Sequence, residues 1–261
     1  YDIAGQLWKS CFYKQISEFR SSLKRHTMHL DNLMRSASIP SAHIREPTRH
    51  LDETQAAAER HERLYIARLT QAFLSFLSDS IAFYQKLMGE VQYKSYCVFF
   101  YREADNAVAL RRCVTSMHKC LLYLGDLARY REMYQDKEGK DFAEAQRYYE
   151  RAALIDPGSG NAQNQLAVLA TYCEAECVSV YHYCRSILAT SPFAGSFENL
   201  SLLLSKNAAA FAQLRPPLPA ASRSKRQISA YTGVLLVRFV HLHGQLFSRS
   251  TVMHHSYSEL L

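Results

Sequence analysis

Glycine is scarce in this chain, with nine residues among 261. Loops that wrap a phosphate or a dinucleotide need closely spaced glycines, and the sequence has neither such a loop nor the GxSxG and HExxH motifs of hydrolases. The neighbouring acids Glu174 and Glu176 are more typical of an exposed helix surface than of an acid–base pair. We therefore expect no enzymatic activity and no cofactor in this chain.

Long apolar runs and a disulfide framework are also missing. No stretch near twenty residues is uniformly apolar, so neither a membrane-spanning helix nor a membrane partner is predicted. The seven cysteines are an odd number without framework spacing, which favours a reducing compartment, and we expect the cytoplasm with shuttling to the nucleus. Cys173, Cys177 and His182 raise a zinc alternative, but no paired CxxC accompanies them. We interpret these cysteines as small buried hydrophobic residues, with no metal.

The charge of the chain is unbalanced, with a formal net charge of +7 and a sequence pI near 9.0. Such a surface attracts phosphates, on nucleic acid or on a phosphorylated protein. The basic residues are dispersed, and the one dense run, Arg223, Lys225 and Arg226, follows a proline-rich segment. We interpret that run as part of a solvated linker, so charge alone leaves both partner classes open.

The spacing of apolar residues predicts an all-α fold, because nothing alternates with period two over a useful length. We predict helices over 3–35, 52–88, 105–134, 195–212 and 227–250, and loops over 36–50, 135–140 and 214–224. The aromatic segment 92–101 is interpreted as a short helix or an extended connector. Residues 1–212 are assigned to one domain, 213–226 to a linker loop, and 227–261 to the last helix of that domain or the start of a helical hairpin.

Helix pairs dominate the stretch from 121 to 192. From Leu124 to Pro157 is 34 residues, the length of a tetratricopeptide unit, and the order LG…Y…A…P fits that repeat. Small residues recur where neighbouring helices must approach closely: Gly125, Ala128, Ala145, Ala152, Ala167 and Ala170. Stacked helix pairs form curved surfaces that hold peptides. A helical repeat scaffold without any such ligand is the alternative.

The same stretch resembles a known family. LGDLARYR, YYERAALIDPGSGNAQNQLAVLA and YCRSILATSPFAGSFENLSLLLSKN are similar to the amino-terminal 14-3-3-like domain of the SMG/Est proteins, the adaptors of nonsense-mediated mRNA decay and their telomerase-associated relatives. The resemblance is dense from Leu121 to Asn207 and weaker at LWKSCFYKQI and at 235–244. It implies a 14-3-3-like antiparallel helical array with tetratricopeptide-like helix pairs.

That resemblance also implies a phosphate-binding pocket. Arg129 and Tyr130 match the Arg-Tyr pair that grips phosphoserine in 14-3-3 proteins. A guanidinium donates two charge-assisted hydrogen bonds to a phosphate, and a tyrosine hydroxyl adds a third donor. Arg20 corresponds to a further arginine, but Tyr13 stands where a lysine is expected. The adjacent Lys14 is the candidate replacement for that missing cation, and Lys9, one turn before Tyr13, is the alternative.

One more candidate lies further along the chain, and each candidate has a plain structural alternative. Asn164, in NAQNQLA, resembles the residue that pins the backbone of a bound peptide, since its amide offers both a donor and an acceptor. It could equally cross-link helices. Likewise, Arg129 could pair with Asp126 or Glu132, and Tyr130 could be a packing residue of the repeat.

The function implied by the resemblance is a phosphoprotein-binding adaptor in nonsense-mediated mRNA decay. Such an adaptor pairs with a paralogous SMG protein and recognises the phosphorylated Upf helicase, while a protein phosphatase or decay factors are recruited through segments outside this chain. Two alternatives stay open. One is a structural heterodimerisation module with a degenerate phosphate pocket, and the other is a telomerase-associated nucleic-acid-binding factor.

Overall fold

The computed structural model describes residues 2–37, 48–100, 106–214 and 225–258. Nine α-helices occur in these ranges: α1 (Ile3–Leu7), α2 (Lys14–Ala37), α3 (Thr48–Phe100), α4 (Asn106–Tyr134), α5 (Ala143–Ile155), α6 (Gly160–Tyr172), α7 (Glu176–Ile187), α8 (Ser196–Ala212) and α9 (Lys225–Ser258). A π-helical segment, Trp8–Tyr13, joins α1 to α2. Within the same ranges the only extended pairing is one isolated bridge between Ser159 and Ser191. The predicted all-α helical array is confirmed.

The predicted end of the second long helix near residue 88 is wrong. α3 runs on to Phe100, so the aromatic segment after Met88 is helical up to that residue rather than an extended connector. Gly89 does not end the helix, because it keeps a helical backbone and no proline follows it. Tyr93 and Tyr96 are exposed, whereas Val91 and Cys97 are partly covered. One side of α3 is therefore partly covered along this aromatic segment, although the composition of the segment resembles that of a strand.

Two predicted loops are shorter at their edges than the sequence suggested. α3 begins at Thr48, so Asp52 lies inside the helix and is not its N-cap. α9 begins at Lys225, so the last two residues of the predicted linker are helical. Pro47 directly precedes Thr48, and neither α3 nor α9 contains a proline, so no proline prevents either helix from beginning before the predicted residue. Residues 38–47 and 215–224, which make up most of the two loops, lie outside the described residues.

The chain divides into two compact units, Tyr1–Tyr148 and Tyr149–Leu261. The first unit has an aromatic core between α1, the π-helical segment, α2, α3 and α4. The Trp8 ring stacks on Tyr123 with centroids 4.4 Å apart, and its edge meets Tyr84. Phe73 is fully buried and stacks on Phe19 at 5.0 Å. Each such ring removes a large apolar area from water, which contributes about 1.5–3 kcal/mol per side chain.

The second unit has a core of smaller side chains between α6, α7, α8 and α9, including Ala167, Leu200 and Val240. A Cβ added at Gly160 would lie 2.5 Å from the carbonyl oxygen of Ser186, so only glycine permits that approach of α6 to α7. All six small residues singled out in the sequence are buried, as close helix packing requires. The predicted domain limit at residue 212 stays a prediction.

The cysteines depart from their predicted environment. All seven are free thiols, but only Cys120 is buried, and Cys11 and Cys173 are exposed. Cys173 follows the last residue of α6 as its C-cap, where α6 gives way to a turn rather than to core. Burial raises the pKa of the Cys120 thiol to about 11. Among the described residues no group of His, Cys, Asp and Glu is arranged to hold a metal ion, and no described helix is long and apolar enough to cross a bilayer.

Candidate phosphate-binding site

The Arg-Tyr pair lies on α4, on the side of that helix that faces the core of the first unit. Arg129 is buried, and its Nη2 donates to Oδ1 of Asp126 at 2.8 Å, one turn earlier on the same helix. Tyr130 is buried as well and belongs to the aromatic core. The structural alternatives raised for both residues are therefore realised: Arg129 pairs with an acid, and Tyr130 packs.

Arg20 reaches the same place from α2. Its Nη1 donates to the hydroxyl oxygen of Tyr130 at 3.3 Å, although the two residues are 110 positions apart in the chain. Its Cζ lies 5.0 Å from the centre of the Tyr130 ring, and the Cζ of Arg129 lies 4.4 Å from it. Guanidinium groups over an aromatic ring are held there by the electron density of its face. The structure thus brings together three predicted residues, Arg20, Arg129 and Tyr130.

The third predicted cation, Lys14, does not join this group. It is exposed at the first position of α2 and forms no hydrogen bond or ion pair with any described residue. Six positions separate it from Arg20, which corresponds to about 240° around an α-helix, so the two side chains lie on different faces. Tyr13 ends the π-helical segment, half exposed, with its ring 6.3 Å from that of Trp8.

Lys24, which the sequence analysis did not single out, shares a face of α2 with Arg20. Lys24 is four positions after Arg20, and residues at this spacing are neighbours on a helix surface. Both line an open recess of about 570 Å³ together with Ser17, Ser21, Leu23, Thr27, Met28 and Tyr134. The signal was available in the i, i+4 spacing of two cations on an amphipathic helix. The resemblance instead implies a lysine before Arg20, at the position of Tyr13.

Asn164 belongs to the second unit and holds helices together there. Its buried Oδ1 accepts hydrogen bonds from Oγ of Ser196 at 3.1 Å and from Nδ2 of Asn199 at 3.2 Å. Ser196 also pairs with the hydroxyl of Ser186 at 2.7 Å, and that hydroxyl donates to the carbonyl of Gly160 at 2.6 Å. The amide therefore cross-links α6 to α8, as the structural alternative expected.

Glu132 lies near the end of α4 and contacts groups of the turn that follows this helix. Its carboxylate accepts from the backbone N–H of Asp141 at 2.5 Å and pairs with Lys137 at 2.9 Å. Burial acts to raise the pKa of this carboxyl, but the hydrogen bonds from Lys137 and Asp141 and the nearby lysine charges lower it below its ordinary value. Glu132 thus secures the turn after α4 and does not pair with Arg129, which the sequence had left open.

Comparison with known proteins follows the two halves of the chain. A family model described as telomerase activating protein Est1 matches residues 2–135, and one described as Est1 DNA/RNA binding domain matches residues 145–261. The nonsense-mediated mRNA decay factor SMG7 of Arabidopsis thaliana is 28% identical over 97% of this chain and 26% of its own length. An SMG7-like decay factor of the same plant is 33% identical over 72% of this chain and 22% of its own length.

A third relative carries a different name. Telomerase-binding protein EST1A of Danio rerio is 30% identical over 76% of this chain, which corresponds to 11% of its own length. This chain therefore spans about a quarter or less of the length of these curated relatives.

Proposed function

This chain belongs to the Est1 family, and from that membership we propose that it is a phosphoprotein-binding adaptor of nonsense-mediated mRNA decay. Its relatives include proteins named as decay factors and as telomerase-binding, so membership alone leaves two pathways open. The fuller alignment to the SMG7 relative, over 97% of this chain, favours the decay pathway. As the sequence resemblance implies, the proposed partners are the phosphorylated Upf helicase and a paralogous SMG protein.

The observation that supports phosphate recognition is the meeting of Arg20 with Arg129 and Tyr130. Arg20 is exposed, and one of its N–H groups is used by the Tyr130 hydroxyl. A guanidinium has five N–H donors in a fixed fork, so four remain for a ligand. The ring beneath holds that fork in place, which lowers the entropy lost when a phosphate binds. An oriented, exposed arginine is the group a phosphoserine partner needs.

The test is a pair of titrations of the full chain with a fluorescent peptide from the Upf helicase, phosphorylated and unphosphorylated. We expect Arg20→Gln to weaken binding of the phosphorylated peptide by at least about tenfold, because one charge-assisted contact corresponds to roughly 1.5–3 kcal/mol. Arg25→Gln is the matched control, since Arg25 is another exposed arginine of α2 but lies on a different face. Equal affinity of the wild type for the two peptides contradicts the proposal.

Two observations favour other functions. Titrations of the same full chain test both of them. The DNA/RNA-binding description of the model that matches residues 145–261 favours a nucleic-acid ligand. In that case a single-stranded oligonucleotide binds with an affinity that falls steeply with salt, by about 0.7 in log–log slope for each phosphate contacted. Tyr13 at an expected lysine position and the Asp126 partner of Arg129 favour a heterodimerisation module. Such a module binds a paralogous SMG protein and shows no preference between the two peptides.

A further inference from the structure

A groove of the second unit lies between the turn after α6 and helices α7, α8 and α9. Its volume of about 800 Å³ exceeds that of the recess beside Arg20 and suits a site that holds a ligand. Apolar side chains from all three helices line it, and three of these remain 45–66% exposed: Val178, Leu202 and Leu236. A partner that covers this apolar surface would remove it from water, which favours binding.

Gly233 lines the groove from α9, although it lies inside a long helix. Glycine within a helix is less stable than alanine, and one reason to keep it is the close approach of another element. Two other glycines show such an approach. A Cβ added at Gly160 would lie 2.5 Å from the Ser186 carbonyl oxygen, and one at Gly244 would lie 3.3 Å from Leu204. At Gly233 no described atom lies within 4 Å of an added Cβ.

The two glycines of α9 lie on the same face of that helix. Gly244 follows Gly233 by 244 − 233 = 11 residues, which correspond to about three helical turns. At Gly244 this face is covered by Leu204 of α8, whereas at Gly233 it opens into the groove. A further helix can therefore approach α9 at Gly233 as closely as α8 approaches it at Gly244.

The groove also carries acidic groups. Glu174 and Glu176 both line it, and neither forms an ion pair with any described residue. Lys206 is the one cation among the described residues that line the groove, so negative charge is in excess there. The chain as a whole has a formal net charge of +7. A partner with lysine or arginine beside its apolar side chains is complementary to this groove.

Both carboxylates are carried by ordered structure. The turn after α6 is closed by the backbone N–H of Ala175, which donates to the carbonyl of Ala170 at 2.9 Å. Glu174 has a φ of 56° in this turn, a conformation that glycine adopts at lower cost. The Glu176 carboxylate accepts a hydrogen bond from Nδ2 of Asn207 at 3.0 Å. Groups that are already held in place lose less conformational entropy when a partner binds.

We infer that this groove binds an amphipathic helix of a partner protein. The apolar side chains of that helix enter between α7, α8 and α9, its backbone passes close to Gly233, and its lysine or arginine pairs with Glu174 and Glu176. A nucleic-acid strand does not suit the groove, because these carboxylates repel its phosphates. The interaction requires no phosphate and goes beyond the proposed function, whose supporting contact at Arg20 belongs to the first unit.

The experiment uses a displayed library of short peptides on a helix-forming alanine background, randomised at positions i, i+4 and i+7 of one face and at both ends. Peptides selected on the full chain are synthesised and titrated by anisotropy. Gly233→Met fills the groove, and Gly89→Met makes the same change at a helical glycine of α3 that also has no described neighbour. Glu174→Gln and Glu198→Gln each remove one exposed carboxylate of the second unit, but Glu198 does not line the groove. Thermal melting checks that each variant is folded.

We expect the selected peptides to carry apolar residues on the randomised face and lysine or arginine at one end. Gly233→Met should weaken their binding by about tenfold or more, Glu174→Gln by about two- to fivefold, and each control by less than about twofold. The inference is overturned if no peptide is selected, if the selected peptides lack basic residues, or if they bind Gly233→Met as tightly as wild type. Self-association of the wild type that Gly233→Met abolishes would also overturn it, in favour of a second copy of this chain.

Discussion

The core of the first unit is rich in aromatic rings, whereas that of the second unit is largely aliphatic, with one buried ring at Tyr183, and adjoins a network of buried hydrogen bonds. In the first unit Phe73 and Tyr84 are fully buried among other rings. In the second, Ala167 is fully buried, and Asn164 links two helices through its amide oxygen. Dispersion between rings tolerates small shifts, whereas a buried hydrogen bond does not. We therefore expect the first unit to be sensitive to the loss of ring volume and the second to the loss of a buried hydrogen-bond acceptor.

The largest effect is expected from removing a ring of the first unit. Phe73→Ala should lower the free energy of unfolding by about 3–5 kcal/mol, because a fully buried phenyl group is replaced by a cavity. Denaturant titration followed by circular dichroism measures it. Tyr93→Ala, at an exposed position of the same helix, is the control and should stay within about 0.5 kcal/mol of wild type. A loss below about 1 kcal/mol for Phe73→Ala would show that the rings are not what stabilises this unit.

A smaller loss is expected from the polar network of the second unit. Asn164→Ala should lower the free energy of unfolding by about 1–3 kcal/mol, because Ser196 and Asn199 lose a buried acceptor. Asn161, on the same helix but only half-buried, is the matched site, and Asn161→Ala should have little effect. Similar losses for both asparagines would mean that helix propensity, and not the cross-link, sets the stability here.

The smallest effect depends on pH and concerns Glu132. Its pKa is lowered in the folded state, so its contribution to stability is present above about pH 4.5 and is lost as pH falls through the folded pKa. Glu132→Gln should therefore destabilise the protein at neutral pH, and the difference from wild type should vanish in acid. Free energies of unfolding measured across this range test the sign. In a Lys137→Gln background the same difference should shrink, and an unchanged difference would exclude Lys137 as a cause.

The sequence alone predicted the helical class, the small buried residues and the family, and the structure and the family models confirm all three. It could not predict that α3 continues past Gly89, because local composition there favours strands and tertiary packing decides the outcome. Nor could it place Arg129, since an arginine beside a tyrosine looks the same in sequence whether it faces solvent or an aspartate.

Lys24 shows what a motif matched by sequence position does not reveal. A motif carried over by position proposed Lys14, which lies next to the expected lysine in the chain but on another face of the helix. The side chain that shares a face with Arg20 is four residues further on, and its environment became apparent only when α4 supplied the opposite wall of the recess. Helical phase and the position of a neighbouring helix, neither of which a linear motif contains, determine which side chains lie beside Arg20.

The central claim is that a phosphorylated partner binds where Arg20 meets Arg129 and Tyr130. The position of the phosphorus atom in a crystal of this chain bound to a phosphoserine peptide tests it most directly. We expect the phosphate oxygens to lie within hydrogen-bonding distance of the Arg20 guanidinium, next to the Tyr130 ring. A phosphate bound away from Arg20, with its guanidinium in solvent, would contradict the claim.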